Sequence, residues 1–121
     1  MSRTAVLCVV LVVVGCVVAQ DKYPETYDNI DIEAILTNDE SRALHVNCLL
    51  DGGAKCPEAA LALKKRLPEI LETKCAKCTA KQRSIIRNIA TYLKNYSREE
   101  YEKLANKYDP EGIYAPQYPE L

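Results

Sequence analysis

Apolar residues recur three or four positions apart along most of the chain, which is the spacing of one face of an α-helix. No stretch alternates apolar and polar residues strictly enough to predict a strand, and no internal repeat or low-complexity linker is present. The clearest apolar stripe consists of Ile85, Ile86, Ile89, Leu93 and Tyr96. The pattern predicts an all-α domain built from several short amphipathic helices.

Residues that typically begin or end helices stand at the borders of these patterns. Pro57 occupies the position of a first helical residue, and Pro68 interrupts the next apolar pattern, so we expect a kink or an end there. Gly52 and Gly53 are typical of a helix stop. Glu100, three residues after a serine, completes a capping-box signature. The predicted N-caps are Asp31, Asn38, Thr79 and Ser97.

The tail after the last predicted helix has no helical periodicity. Its apolar residues, Ile113, Tyr114 and Tyr118, stand near the prolines at positions 116 and 119. We expect a short helical turn or an ordered extended arm in this part of the chain.

The first part of the chain has the pattern of a secretory signal peptide. Residues 5–19 contain no charge and follow a single positive charge at Arg3, and the run ends at the small residue Ala19. A membrane-spanning helix usually needs about 20 apolar residues. We therefore expect residues 1–19 to be removed, with cleavage one residue later equally compatible, and residues 20–121 to form one secreted, extracellular domain without stable membrane insertion.

The charge balance excludes partners without naming one. The full chain has 16 basic and 17 acidic residues. Removal of Arg3 with the signal peptide leaves one basic residue fewer, and the formal charge of the remaining chain is near −2. A nucleic-acid-binding domain would show a basic stripe, and binding to an anionic membrane surface would need a polybasic cluster. Neither is present.

An even number of cysteines in a short exported chain predicts disulfide bonds. Cys8 and Cys16 fall in the predicted signal peptide, and the four that remain are Cys48, Cys56, Cys75 and Cys78. Four cysteines allow three pairings, and spacing alone does not choose among them.

Two other uses of these cysteines are weaker interpretations. A zinc site prefers two close pairs, and only Cys75 and Cys78 have that spacing. A redox-active pair suits a βαβ context, which the pattern does not predict, although Lys74 and Lys77 would lower the pKa of a free thiol beside them. Structural disulfides are the favoured interpretation.

Four motifs carry a resemblance to a known family. They are YDNIDIEAIL (Tyr27–Leu36), NCLLDGGAKC (Asn47–Cys56), CAKCTAKQ (Cys75–Gln82) and KYDPEG (Lys107–Gly112). In order and spacing the chain resembles the insect chemosensory proteins, also known as the OS-D or pheromone-binding A10 type. The resemblance implies a compact bundle of about six helices around a hydrophobic tunnel, bridged as Cys48–Cys56 and Cys75–Cys78. It also implies a carrier of long-chain and other apolar small molecules.

The chain departs from the family pattern at several positions. Seven residues separate Cys48 from Cys56, where six are usual, and His45 stands where an aromatic residue is common. Tyr101 occupies a position often held by Trp, and the chain contains no Trp or Phe. A lysine-rich tail is absent. These departures leave the size and identity of the ligand open.

If a tunnel exists, inward-facing apolar residues should form its wall, and Tyr or His side chains should supply polar groups that orient the ligand. His45, the single histidine, has no metal-ligating partner or nucleophile at a useful spacing, so we expect no catalytic residue, metal site or cofactor. We predict a monomeric carrier of a small hydrophobic ligand; the alternative is a secreted helical interaction or signalling factor without a cavity. The predicted ligand-binding residues are Tyr27, Ile32, His45, Val46, Leu49, Leu63, Leu67, Ile70, Ile86, Ile89, Leu93, Tyr101 and Tyr118.

Overall fold

Five α-helices and one short 3₁₀ helix, with no strand, form the part of the chain that the computed structural model describes, residues 21–51 and 55–117. The all-α prediction is confirmed, with five α-helices instead of about six. The predicted signal peptide and the predicted helix stop at the two glycines lie outside the described residues. The helices are α1 (Ile32–Thr37), α2 (Asp39–Asp51), α3 (Glu58–Thr73), α4 (Ala80–Tyr96), α5 (Arg98–Tyr108) and the 3₁₀ helix (Ala115–Gln117).

Three of the predicted N-caps are confirmed. The side chains of Asp31 and Asn38 each accept a hydrogen bond from the backbone N–H three residues further on, at 3.0 and 2.9 Å. At the start of α4, Thr79 and Gln82 form a reciprocal capping box, in which each side chain accepts the other residue's backbone N–H. These bonds satisfy donors that the first helical turn would leave without partners.

The prediction for Pro57 needs correction, and of the kink or end expected at Pro68 the structure excludes the end. Pro57 is the N-cap, with an extended ψ of 145°, so the first helical residue is Glu58. The helix also continues through Pro68 as far as Thr73. Ile70, just beyond the proline, is only 3 % exposed in a buried cluster with Cys75 and Cys78. Burial of this turn therefore outweighs the backbone hydrogen bond that a proline cannot donate.

The capping box predicted for α5 does not form, although the helix begins where expected. Ser97 makes no side-chain capping bond to the backbone. Its hydroxyl instead donates to the carboxylate of Glu100, and Arg42 of α2 donates to the same oxygen from Nε at 2.7 Å. The carboxylate that a capping box requires is therefore bound by an arginine that is distant in sequence.

Two buried clusters and two local disulfides hold the bundle together. One cluster is centred on Leu36, Val46 and Leu93, and the other on Ile70 with Cys75 and Cys78. The bridges Cys48–Cys56 and Cys75–Cys78 confirm the pairing that the family resemblance implies. Tyr96, placed in the apolar stripe by its spacing, is 76 % exposed, and its ring packs on Tyr92 with the centroids 5.1 Å apart.

Two side chains at the end of α5 donate hydrogen bonds to backbone carbonyls at the end of α2. The Tyr108 hydroxyl donates to the backbone carbonyl of Leu49 at 2.5 Å, and the Lys107 ammonium donates to that of Leu50. Burial raises the pKa of the Tyr108 hydroxyl. Carbonyls in the last turn of a helix lack intrahelical partners, so these two side chains supply what the backbone cannot.

A single carboxylate arranges the turn that follows α5. Asp109 accepts hydrogen bonds from the backbone N–H groups of Ile113, Tyr114 and Ala115, at 2.8 to 3.2 Å. Burial alone would raise the pKa of Asp109, but these three donors lower it below its usual value. The 3₁₀ helix agrees with the helical turn predicted for this part of the tail, while Tyr118 lies outside the described residues.

Candidate ligand-binding cavities

The first of two neighbouring cavities, the Tyr23 cavity, has a volume of about 110 Å³. The N-terminal segment (residues 21–31), the start of α1, α3 and α4 line it. Most of its wall is apolar, with a few polar side chains. Its lining residues are Tyr23, Pro24, Tyr27, Asp28, Ile30, Ile32, Ala59, Ala62, Leu63, Arg66, Ile70, Cys78, Gln82, Ile85 and Ile86.

The second, the His45 cavity, has a volume of about 80 Å³ and is lined mainly by residues of α1, α2, α3 and α4. Ile30, Ile32 and Ala59 line both cavities, so a thin wall of three side chains separates them. The lining residues are Ile30, Ile32, Ile35, Leu36, Arg42, His45, Val46, Leu49, Ala59, Ala60, Ile89 and Leu93.

Hydrogen bonds hold the N-terminal segment over the Tyr23 cavity. The Tyr23 N–H donates to the Lys77 carbonyl at 2.8 Å. The Gln82 amide, on α4, donates to the Pro24 carbonyl at 3.0 Å and to the Asp28 carboxylate at 3.2 Å. Gln82 therefore has two tasks, because its carbonyl oxygen caps α4 while its amino group fastens the segment.

A polar cluster lies at the edge of the same cavity. The Tyr23 hydroxyl donates to the Glu69 carboxylate at 2.6 Å, and Lys77 forms an ion pair with that carboxylate at 3.5 Å. Burial and the bond to Glu69 raise the pKa of Tyr23 to about 12. The same hydrogen bond, assisted by Lys77, lowers the pKa of Glu69. The Arg66 guanidinium lies over the Tyr23 ring, 5.0 Å from its centroid.

The polar groups in the wall of the His45 cavity bind protein atoms. Arg42 donates to Glu100 at 2.7 Å and to the Leu36 carbonyl at 2.8 Å, and forms an ion pair with Asp39 at 3.1 Å. The bond to Glu100, against the effect of burial, raises the pKa of Arg42. His45 Nδ1 lies 2.7 Å from the carbonyl oxygen of Ser41 in the preceding helical turn. The remaining wall is aliphatic.

The structure brings together most of the residues predicted to bind ligand. Leu67 and Tyr101 line neither cavity; Tyr101 packs beside the Leu36 cluster, with Arg98 5.5 Å from its ring centroid. Tyr118 lies outside the described residues. Contact of any of these side chains with a ligand stays a prediction. The predicted residues that line one or both cavities are Tyr27, Ile32, His45, Val46, Leu49, Leu63, Ile70, Ile86, Ile89 and Leu93.

Sequence reasoning missed two kinds of lining residue. On α3, Ala59, Ala62 and Arg66 follow the same helical spacing as the predicted Leu63 and Ile70, so the signal was present but was read only from large apolar side chains. The N-terminal segment gave no such signal, because it has no helical periodicity.

Two further observations bear on chemistry. In residues 21–51 and 55–117 there is no group of three or more His, Cys, Asp or Glu side chains placed to hold a metal ion. Over the same ranges, none of the helices has the length and apolar character needed to cross a bilayer. The sites that stand out are the two apolar cavities.

A small helical bundle with two local disulfides and apolar cavities between its helices defines a recognisable structural class. Residues 23–116 match the insect pheromone-binding family A10/OS-D, and the chain belongs to this family. Ejaculatory bulb-specific protein 3 of Drosophila melanogaster is 43 % identical over 110 residues, which cover 89 % of this chain and 86 % of that protein.

Solved structures agree with this assignment. A chemosensory protein in complex with bromo-dodecanol superposes with a TM-score of 0.75 at 34 % identity, covering 80 % of this chain and 96 % of that one. Antennal chemosensory protein A6 from the moth Mamestra brassicae gives a TM-score of 0.65 at 33 % identity, covering 79 % and 88 % of the two chains. The recognition made from the four motifs is confirmed.

Proposed function

We propose that the protein is a secreted, monomeric and non-catalytic carrier that binds one small hydrophobic ligand across the Tyr23 and His45 cavities. The observation that carries this proposal is the pair of aliphatic cavities separated by only three side chains. Apolar sites of this kind bind ligands mainly by removing apolar surface from water. The similar chemosensory protein solved with bromo-dodecanol, a long-chain alcohol, supports the same ligand class.

The shared wall suggests how a long ligand fits. Ile30 lies in the N-terminal segment and Ile32 at the start of α1, so two of its three side chains belong to adjoining parts of the chain. The third, Ala59, is small and sits on α3. Rotation of the isoleucine side chains around this alanine would join the cavities into one passage. Each additional methylene buried there contributes about 0.8 kcal/mol before ordering costs.

Substitution Ala59→Leu tests the proposal by adding bulk to the shared wall. In the unmodified protein, affinity for a homologous series of linear alcohols should rise with chain length until the joined cavities are full. In Ala59→Leu the plateau should come at a shorter chain, because the tail can no longer cross from one cavity to the other. Displacement of a neutral fluorescent probe, measured across the series, gives both curves.

Ala90→Leu is the matched control, since Ala90 is exposed on α4 and lines neither cavity. It should leave the chain-length profile unchanged. Affinity that does not depend on chain length in the unmodified protein would contradict the carrier function. It would favour the alternative, a secreted interaction factor, which needs no internal cavity.

A further inference from the structure

We propose that Arg66 makes this carrier selective for linear amphiphiles with a carboxylate head, which it binds in the Tyr23 cavity while the tail extends toward the His45 cavity. This inference rests on the proposed carrier function and names the chemical class of its ligand.

The guanidinium of Arg66 has unused hydrogen-bonding capacity beside an apolar cavity. Its side chain is half-buried and lines the Tyr23 cavity, and the contact that the structure shows for it is the face of the Tyr23 ring. Among the described residues, no carboxylate lies within ion-pairing distance of it. A guanidinium presents five N–H donors in a planar fork that matches a carboxylate with two parallel hydrogen bonds. A ligand carboxylate would therefore supply the acceptors that the protein does not.

The acidic groups near this cavity are held by other partners. Glu69 accepts the Tyr23 hydroxyl and pairs with Lys77, and Asp28 accepts the Gln82 amide. Asp28 also lines the cavity, so it is the charge that opposes an anionic head. Asp28 belongs to the N-terminal segment and is bound by Gln82 of α4, whereas Arg66 projects from α3. The two charges thus act on a ligand with opposite signs.

The contacts of Arg42 explain why the carboxylate head of a ligand would bind in the Tyr23 cavity and not in the His45 cavity. It lines the His45 cavity, but its guanidinium is already bonded to Glu100, Asp39 and the Leu36 carbonyl. A second carboxylate would have to displace one of these partners. The two arginines therefore give the joined cavity a direction, with the polar end at Arg66 and an apolar end at α2.

A matched pair of amphiphiles separates head recognition from tail burial. Dodecanoate and 1-dodecanol should be compared at pH 8 and low salt, through displacement of the neutral probe N-phenyl-1-naphthylamine. Because charge-assisted hydrogen bonds are about twice as strong as neutral ones, we expect dodecanoate to bind more tightly by about fivefold or more. Arg66→Met, which keeps an unbranched apolar stem, should bring this ratio close to one. Arg66→Lys should retain part of it.

Two further variants sharpen the assignment. Asp28→Asn removes the opposing charge and should raise the preference for dodecanoate. Lys65→Gln removes a positive charge from the neighbouring residue, which is exposed and lines neither cavity, and should leave the ratio unchanged. If Arg66→Met does not fold, the charge dependence is still measurable, because added salt should lower the ratio in the unmodified protein and in Arg66→Lys.

The outcomes distinguish this inference from the carrier function on which it rests. Equal affinity for the two amphiphiles, or a ratio that folded Arg66→Met leaves intact, would overturn the role of Arg66 while the carrier function stands. Failure of both amphiphiles to displace the bound probe from the folded, unmodified protein would overturn both proposals.

Discussion

The walls of the two cavities are built in different ways, although the cavities share three lining residues. One side of the Tyr23 cavity is the non-helical N-terminal segment. Hydrogen bonds from Gln82 to Pro24 and Asp28, from Lys81 to Asn29, and from Lys22 of the segment to the Ala76 carbonyl hold it in place. The wall of the His45 cavity comes mainly from packed helices, and it includes the buried side chains of Leu36, Val46, Leu49 and Leu93.

This difference assigns the two cavities different mechanical roles. Regions held by partly exposed hydrogen bonds open at a lower free-energy cost than regions held by buried apolar contacts. Displacing the N-terminal segment exposes the Tyr23 cavity without separating any pair of helices. We therefore expect a ligand to pass at the Tyr23 side, and the His45 side to act as the fixed end of the site.

The largest expected effect compares the two walls directly. Leu93→Ala removes a side chain that is 2 % exposed in the Leu36 cluster and should lower the free energy of unfolding by about 3 kcal/mol. Ile86→Ala, in the half-buried wall of the Tyr23 cavity, should cost about half as much. Urea denaturation of both variants measures the difference. Equal decreases in the free energy of unfolding would show that the two walls contribute equally to stability.

A second variant loosens only the cover of the Tyr23 cavity. Gln82→Glu keeps an oxygen to accept the Thr79 N–H at the start of α4, but it removes the amide donors to Pro24 and Asp28 and places a negative charge beside Asp28. We expect stability to fall by about 1 kcal/mol and ligand dissociation to become severalfold faster. Stopped-flow displacement of a bound probe gives the rate.

Asn88→Asp is the control for this variant, because it adds the same charge at an exposed position of α4 that lines neither cavity. Its dissociation rate should match that of the unmodified protein. If both variants release the probe equally fast, the charge is responsible and the N-terminal segment does not control access.

The smallest effect is a dependence of stability on pH at the edge of the Tyr23 cavity. Burial, and after it the hydrogen bond to Glu69, raise the pKa of Tyr23 from 10.0 to about 12 in the folded protein. The stabilisation that depends on the protonated hydroxyl is therefore fully present below pH 10 and is lost as the pH rises toward 12. The pKa of Glu69 is lowered, so its contribution is present above pH 4.5 and is lost as the pH falls further.

Tyr23→Phe should remove both effects. The stability difference between Tyr23→Phe and the unmodified protein, measured by urea denaturation, should stay constant near neutral pH and narrow at both extremes. Tyr27→Phe is the matched control, because Tyr27 lines the same cavity and its hydroxyl makes no hydrogen bond within the described residues. A difference that does not change with pH would show that the Tyr23–Glu69 bond does not stabilise the fold.

Local signals predicted the helices well because the physics behind them is local. Asp31, Asn38 and Thr79 cap helices through bonds to residues three positions away, and each prediction is confirmed. The capping box at Ser97 failed because its glutamate is bound by Arg42, 58 residues away in sequence. Helix α3 continues beyond Pro68 because Ile70, in the turn that follows, is buried, and this burial exists only in the folded bundle.

The candidate site was predictable only where helical spacing marks one face of a helix. Large side chains such as Leu63 and Ile89 were found in this way, and they line the cavities as expected. Ile30 and Tyr23 belong to a segment whose position depends on side chains of α4, so no local pattern reveals them. Whether an arginine has a carboxylate partner, as Arg42 does and Arg66 does not among the described residues, likewise depends on contacts between residues distant in sequence.

The bonds from Tyr108 and Lys107 to the last turn of α2 have a consequence for the order of folding during synthesis. Cys48 and Cys56 both leave the ribosome well before Tyr108, so oxidation can seal that end of α2 while its terminal carbonyls are still bound only to water. The hydrogen bonds from Lys107 and Tyr108 to this end of α2 can form only after almost the whole chain has been translated. A nascent chain truncated before Lys107 would thus be covalently closed there and still incompletely folded.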